Sequence, residues 1–483
     1  MNPIFQQFFF ISPILILVTS IVLNLFVIIF KRNLLCSFLV TISGLIGSII
    51  SFYFLKNNPL IYLKYLLNLQ SINFFYIFLF FLSSLFSCIF SYFFFKNKKI
   101  NKEEFYILLL ISNIGGYLLF LSTNIFFIFV GIELLSLPLI GIMSYFSSLS
   151  SKNLESSFKY FIISSFSLIL FLLGLSLIYL SYGTLDIFVL KSLNQISSVS
   201  SNNIFLIGII ILYISILIKL SVFPFFSWVP DIYEGSPSFI LIYFTNSIML
   251  VMLSIFEKLF SFLPFKNFYF FYSVLVIISI ISIFLGNTVA FFQNNFKKLI
   301  GYSVISNAGH LIIFLILLHK NYFLNSIIKI YFLGYFLNSL VLFGVITAFS
   351  IFSKKQDIYL FEEYEGIFWK YPLLSISMII SLFSTIGVPL TIGFFSKFYL
   401  LKYLIENNYF IFCAMIIFGS VLSFCYYLNF IKIFFYKKNC NFLKNIYKKN
   451  IFNLSLTLFI FFISLFIIFF GLFPNFLKYL KYF

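Results

Sequence analysis

Four lysines and one glutamate stand where ionisable groups are rarest, inside or at the edge of apolar runs. Glu133 lies in the middle of FIFVGIELLSLPLIGIMSYF. A carboxylate in such a place either neutralises or finds a cation. Lys219, in IIILYISILIKLSVFPFFSWVP, is its natural partner, and Lys397 lies in IGVPLTIGFFSKFYLL. Lys159 follows Glu155 by one helical turn in NLESSFKYFIISSF and is close enough to the start of its run to snorkel. Lys329 begins a run and reads as an interfacial anchor. Two prolines fall deep in apolar sequence, Pro224 in KLSVFPFF and Pro389 in STIGVPLTIGFF. Proline removes a helix hydrogen bond and frees a carbonyl, and broken membrane helices persist where they line polar cavities. Burial disfavours an ammonium and an approaching carboxylate favours it, so such pairs load and release protons. The chemistry indicated is movement of protons or cations across a bilayer.

The elements that must carry these groups follow from composition. Of 483 residues, 62% are hydrophobic and 9% are charged, whereas soluble domains run at about 45–50% apolar and about 25% charged. The charges cluster between apolar runs long enough to cross a ~30 Å hydrocarbon core at 1.5 Å per residue. Periodicity and breakers give fourteen spans, near 8–30, 35–55, 72–95, 105–121, 123–147, 156–181, 204–228, 237–262, 269–292, 299–318, 327–352, 372–402, 408–435 and 451–472. This is an all-α polytopic membrane protein. No strand-length alternation offers a barrel instead.

The net charge of +18 does not point to nucleic acid, because the lysines gather where spans end. Of 31 Lys and Arg residues, 18 lie in loops after odd-numbered spans, nine in even-numbered loops and the termini, and four are those named above. The bias puts both termini on the outer side. Cys36, Cys88, Cys413, Cys425 and Cys440 show no metal-ligand spacing, and two histidines do not supply one. The N-terminus MNPIFQQFFF shows no cleavable targeting pattern. Seventy-eight Phe and a single Arg, Arg32, fit an AT-rich genome of organelle or endosymbiont type.

The stretches that hold the buried charges resemble a known family. KLSVFPFFSWVPDIYEGSPS (219–238) is similar to the K-x4-P-x3-W-x-PD-x-YEG-[AS]-PT segment of the subunit 2 family of NADH:ubiquinone oxidoreductase, called subunit N in bacteria. ELLSL, ESSFKYF, NFKKLIGYSVISNAG, the stretch 364–400 and SVLSFCYYLNFIKIFF look like further segments in the right order. The resemblance implies three N-terminal helices (1–104), two inverted five-helix repeats (105–262 and 269–435) with breaks at spans 7 and 12, and a last loop and helix (436–483). It implies that Glu133 pairs with the central Lys219, that Lys159 modulates this lysine, and that Lys397 serves a second half-channel. It implies no cofactor in this subunit, the NADH, FMN, iron–sulfur clusters and ubiquinone being handled elsewhere in the complex. Its partners would be membrane-arm subunits, especially antiporter-like subunit 4 and the small subunits 4L and 6, with lipids and without nucleic acid. The expected location is the mitochondrial inner membrane, with the gene carried by the organelle.

Two positions depart from the family pattern. Where a lysine follows YEG-x-PT on span 8, this chain has Met249. Where a histidine is common on span 10 it has Asn307, with His310 in place of a following tyrosine. His310 is a candidate proton carrier or water organiser, and equally a core histidine with one hydrogen bond. A cation/proton antiporter subunit and a structural subunit with a degraded channel remain as alternatives.

Overall fold

The computed structural model describes residues 3–56, 71–98, 102–146, 151–195, 203–260, 269–318, 323–352, 357, 359–436, 451–474 and 476. Lys99, Lys354, Lys355, Cys440 and the loop lysines after Lys432 lie outside these residues. The helices in chain order are α1 (Pro3–Phe30), α2 (Leu34–Lys56), α3 (Ser71–Lys98), α4 (Glu104–Leu121), α5 (Ile125–Ser144), α6 (Ser151–Tyr182) and α7 (Ile187–Gln195). There follow α8 (Asn203–Lys219), α9 (Trp228–Gly235), α10 (Ser238–Phe260), α11 (Tyr269–Phe291), α12 (Phe296–Leu318) and α13 (Phe323–Phe352). The chain ends with α14 (Ile367–Lys370), α15 (Pro372–Ile386), α16 (Ile392–Glu406), α17 (Phe410–Ile433) and α18 (Ile451–Leu472). Among the described residues the only strand-like pairings are two isolated bridges.

Among the described residues, twelve helices are long and apolar enough to cross a membrane, and two shorter apolar helices, Asn203–Lys219 and Pro372–Ile386, begin spans 7 and 12. The fourteen spans of the sequence are thus present, with the two proline-bearing ones broken. Short helices α7, α9 and α14 have no counterpart among the fourteen spans. The spans of α10, α12 and α13 are 100%, 83% and 94% buried, against 22% for α1 and 28% for α2 and α6. Outer helices carry apolar side chains all round because hydrocarbon, rather than water, is their solvent.

Contacts divide the chain into two compact units, one comprising Met1–Ser148, Ser157–Leu220 and Asn246–Ser273, the other Leu149–Ser156, Ser221–Thr245 and Val274–Phe483. In the first unit, the loops after spans 1 and 3 meet the end of span 5. Arg32 pairs with Glu104 at 3.0 Å. The Tyr145 hydroxyl donates to Glu104, and Lys102 donates to the Tyr145 carbonyl while lying over the Tyr145 and Phe146 rings. The opposite helix ends, after spans 4 and 6, are joined by the Asn124–Asp186 bridge and by Ile187 N–H donating to the Thr123 carbonyl at 3.0 Å. There the Lys258 ammonium donates to the carbonyls of Leu119, Phe120 and Ser122 at 2.8, 2.7 and 3.0 Å, and so caps α4. A cation at a helix C-terminus satisfies orphan carbonyls and opposes the helix dipole. By sequence Lys258 counted among the loop cations; it is a structural cap. Lys329 is 6% exposed.

The second unit ties its charged ends more tightly. Lys297, 1% exposed, pairs with Asp357 at 2.5 Å and donates to the Ser236 carbonyl at 2.8 Å. Asp357 in turn accepts from Ser238 N–H and Oγ–H at 2.9 and 3.0 Å, and so anchors the start of α10. Glu234 accepts from Lys152 at 2.6 Å and from Lys298 at 3.0 Å. Loops after spans 5, 7, 9 and 11 therefore converge, as alternating crossings of a membrane require. Partial burial works to raise the Glu234 carboxyl, but the hydrogen bonds from Lys152 and Lys298 outweigh it and hold it below its ordinary value. A depressed carboxylate stabilises the fold above its unfolded pKa, and that contribution disappears as pH falls through the folded one.

Removing one member of a buried pair strands the other charge, at about 3–5 kcal/mol. Asp357→Ala is therefore expected to lower the thermal unfolding midpoint well below that of the double variant Lys297→Met/Asp357→Leu. A double variant as unstable as the single one would show that the charges themselves are not what matters.

Candidate functional site

Each broken span ends its first half at or beside a residue forced into the left-handed region. After α8, Ser221 has φ +57°, the Phe223–Pro224 peptide is cis, and helix resumes at Trp228. After α15, Gly387 has φ +91° and Leu390 has φ +73°. Non-glycine residues seldom adopt such angles and collect at functional sites.

The second break can be followed bond by bond. Gly387 N–H donates to the Ser384 carbonyl at 3.1 Å and Val388 N–H to the Phe383 carbonyl at 3.0 Å. This is a Schellman end, with glycine at the left-handed position and Pro389 shortly after it. It leaves the last carbonyls of α15 without helical partners. The Lys397 ammonium, on α16, donates to two of them, Thr385 and Ile386, each at 2.9 Å. The two halves pack so closely that a Cβ at Gly393 would fall on the Ser384 carbonyl oxygen. Gly393 N–H also donates to Ser384 Oγ at 3.3 Å.

Lys397 borders two small cavities. One, of about 10 Å³, also has His310, Asn287, Ser303, Ser306 and Tyr427 in its wall. The other, of about 30 Å³, is lined from α13 by Tyr331, Tyr335 and Asn338. A water needs about 10–15 Å³ of such space and two or more polar partners. His310 is 4% exposed, and neither ring nitrogen has a protein partner among the described residues. Lys397 is the charged group whose field reaches it. The structure therefore brings two sequence candidates, Lys397 and His310, to one chamber.

In the first unit, Lys219 is the final residue of α8, 6% exposed, with no hydrogen-bond partner for Nζ among the described residues. Glu133 is half-buried on α5 and is the charged group that acts electrostatically on Lys219. The two do not touch as an ion pair; they stand as separated members of one field. Pro138, one turn and a residue beyond Glu133, lies inside α5. Met249 is 3% exposed, on α10. Lys159 is half-buried on α6.

Asn287, Asn338, Tyr331 and Tyr426 were not singled out by sequence, yet they build the chambers. Tyr426 donates to Asn287 at 3.2 Å and Tyr331 to Asn307 at 3.0 Å. The search rule that found the charges, polar groups deep in apolar spans, would have found both asparagines had it included amides.

Comparison with known proteins follows from this geometry. Residues 122–423 match the family model described as NADH:quinone oxidoreductase/Mrp antiporter, TM. The chain is 35% identical over 464 residues to the NADH-quinone oxidoreductase subunit N of Buchnera aphidicola subsp. Schizaphis graminum, covering 95% of this chain and 94% of that one. Its fold is similar to a chain of respiratory complex I from Thermus thermophilus, with a TM-score of 0.78 at 20% identity over 96% and 97% of the two chains. It is likewise similar to a chain of the Mrp complex from Dietzia sp. DQ12-45-1b, with a TM-score of 0.80 at 16% identity over 99% and 96%.

The close approach at the second break yields a direct comparison. Gly393→Ala is expected to lower thermal stability substantially, because its Cβ meets backbone. Gly334→Ala in the same chamber wall, whose Cβ would sit 3.5 Å from Ile392, should leave the unfolding midpoint nearly unchanged. Equal effects would remove close packing as the reason for glycine at 393.

Proposed function

The chain belongs to the NADH:quinone oxidoreductase/Mrp antiporter membrane-subunit family, and from that premise we propose that it is the subunit N-type, proton-translocating member of an NADH:quinone oxidoreductase membrane arm. The observation that carries the reading is a lysine at each helix break, the buried Lys219 at the end of α8 and the half-buried Lys397 bridging α15 and α16. An ammonium in a low-dielectric interior changes its proton affinity steeply when a nearby charge moves. In the first repeat that charge is Glu133. In the second repeat the lysine has chambers for water on its path.

In this reading Lys159 tunes Lys219 from α6, and His310 organises water beside Lys397. The subunit performs no redox chemistry of its own. NADH oxidation and quinone reduction, with FMN and iron–sulfur clusters, take place in other subunits and drive the charge movements here. Its neighbours are membrane-arm subunits, the antiporter-like subunit 4 and the small subunits 4L and 6 among them. Of the two genome types that suit the codon bias, the bacterial relative favours an endosymbiont over an organelle. The membrane proposed is accordingly a bacterial cytoplasmic one instead of the mitochondrial inner membrane, still with both termini on the outer side.

A cation/proton antiporter subunit is the second reading, favoured by the shared family model and the Mrp-like fold. Identity of 35% to a subunit N against 16% to the Mrp chain weighs toward the first.

In membranes containing the assembled complex, Lys219→Met is expected to lower the number of protons moved per electron more than Lys159→Met does. An unchanged ratio for Lys219→Met would overturn the proposal. Pumping that depends on sodium would mark the antiporter reading instead.

A further inference from the structure

The two cavities at Lys397 share three residues in their walls, Asn307, Thr385 and Lys397. Thr385 and Lys397 are tied to each other through the carbonyl bond at the α15 end. Asn307 is thus the one shared residue outside that bond, and its side-chain oxygen is held by the Tyr331 hydroxyl at 3.0 Å. Each cavity also contains a buried polar group without a protein partner among the described residues: the His310 nitrogens in the smaller, and Asn338 Oδ1, on a residue 5% exposed, in the larger. Buried polar atoms are rarely left unsatisfied, and ordered water is their usual partner where the space is polar and large enough.

We propose that Asn307 is the partition between two water-holding chambers that meet at Lys397, and that its hydrogen bond from Tyr331 sets whether protons cross between them. The inference rests on the proton-translocating reading and deepens it. Two of the three ammonium donors of Lys397 are engaged by carbonyls, which leaves one for water. A proton arriving on a water of one chamber binds the Lys397 amine, and the proton released goes to a water of the other; only N–H and O–H bonds form and break. The carboxamide of Asn307 cannot relay a proton readily, but it carries both an acceptor, held by Tyr331 of the larger chamber, and a donor. It orders the two water groups against Lys397 without letting them merge past it. A leucine there would have the same size and no polar face.

The test uses the assembled complex in sealed membranes, with NADH-driven quinone reduction and the proton-to-electron ratio measured together. Asn307→Leu is expected to lower the ratio as far as Lys397→Met does, while Asn307→His, a polar replacement, keeps it close to the unmodified level. Tyr331→Phe, which removes only a hydroxyl, should lower the ratio in the same direction and covers the case in which Asn307→Leu fails to assemble. A normal ratio in Asn307→Leu or in Tyr331→Phe, with Lys397→Met impaired, overturns the partition. Equal losses in Asn307→Leu and Asn307→His also overturn it, since they mark a packing role. A normal ratio in Lys397→Met defeats the underlying functional reading instead.

Discussion

A helix that stops inside hydrocarbon leaves carbonyls that no solvent can satisfy, and the rest of the second repeat is built around that constraint. Each orphan carbonyl there needs a donor, at a penalty of several kcal/mol if none arrives. At the end of α15 a Schellman turn satisfies two carbonyls, and Lys397 satisfies the next two from the helix that resumes. One ammonium thus stabilises the break and stands at the site where protons would pass. An ammonium at the negative end of a helix is also favoured by the helix dipole.

The same economy appears at the helix ends. Lys258 caps α4 by donating to three carbonyls, and Asp357 anchors α10 through Ser238 while neutralising Lys297. These contacts fix the ends of spans whose faces, apolar all round, have no strong preference for one rotation over another in lipid. Polar contacts at the ends and small residues at close approaches supply the specificity that the hydrophobic effect cannot supply between helices in a membrane. Glu234 is the most exposed to change among these groups, because it divides itself between Lys152 and Lys298.

Two departures from the family pattern acquire different physical meanings. Met249 is buried and brings no ionisable group to the interior of α10. Asn307, by contrast, remains polar and is hydrogen-bonded, and His310 stands one turn farther along the same helix and opens into the same chamber. Polar side chains thus persist along α12 at both positions.

The sequence alone determined that the chain is a bundle of fourteen membrane spans, because length, apolarity and the absence of internal charge are one-dimensional properties. It also pointed to the two broken spans through Pro224 and Pro389, although Pro13 and Pro138 lie inside continuous helices, and it singled out Glu133, Lys219 and Lys397 because charge in hydrocarbon is unfavourable. Tertiary structure decided the rest. Whether Lys258 and Lys329 face water or are buried, whether Lys397 meets a carboxylate or a helix end, and whether His310 faces a core or a chamber all depend on which helix lies alongside. No periodicity along one apolar helix encodes its neighbour, because every face of it is equally compatible with lipid. For that reason the convergence of the asparagines and tyrosines on Lys397 was decided only when α11, α12, α13, α15, α16 and α17 were assembled around it.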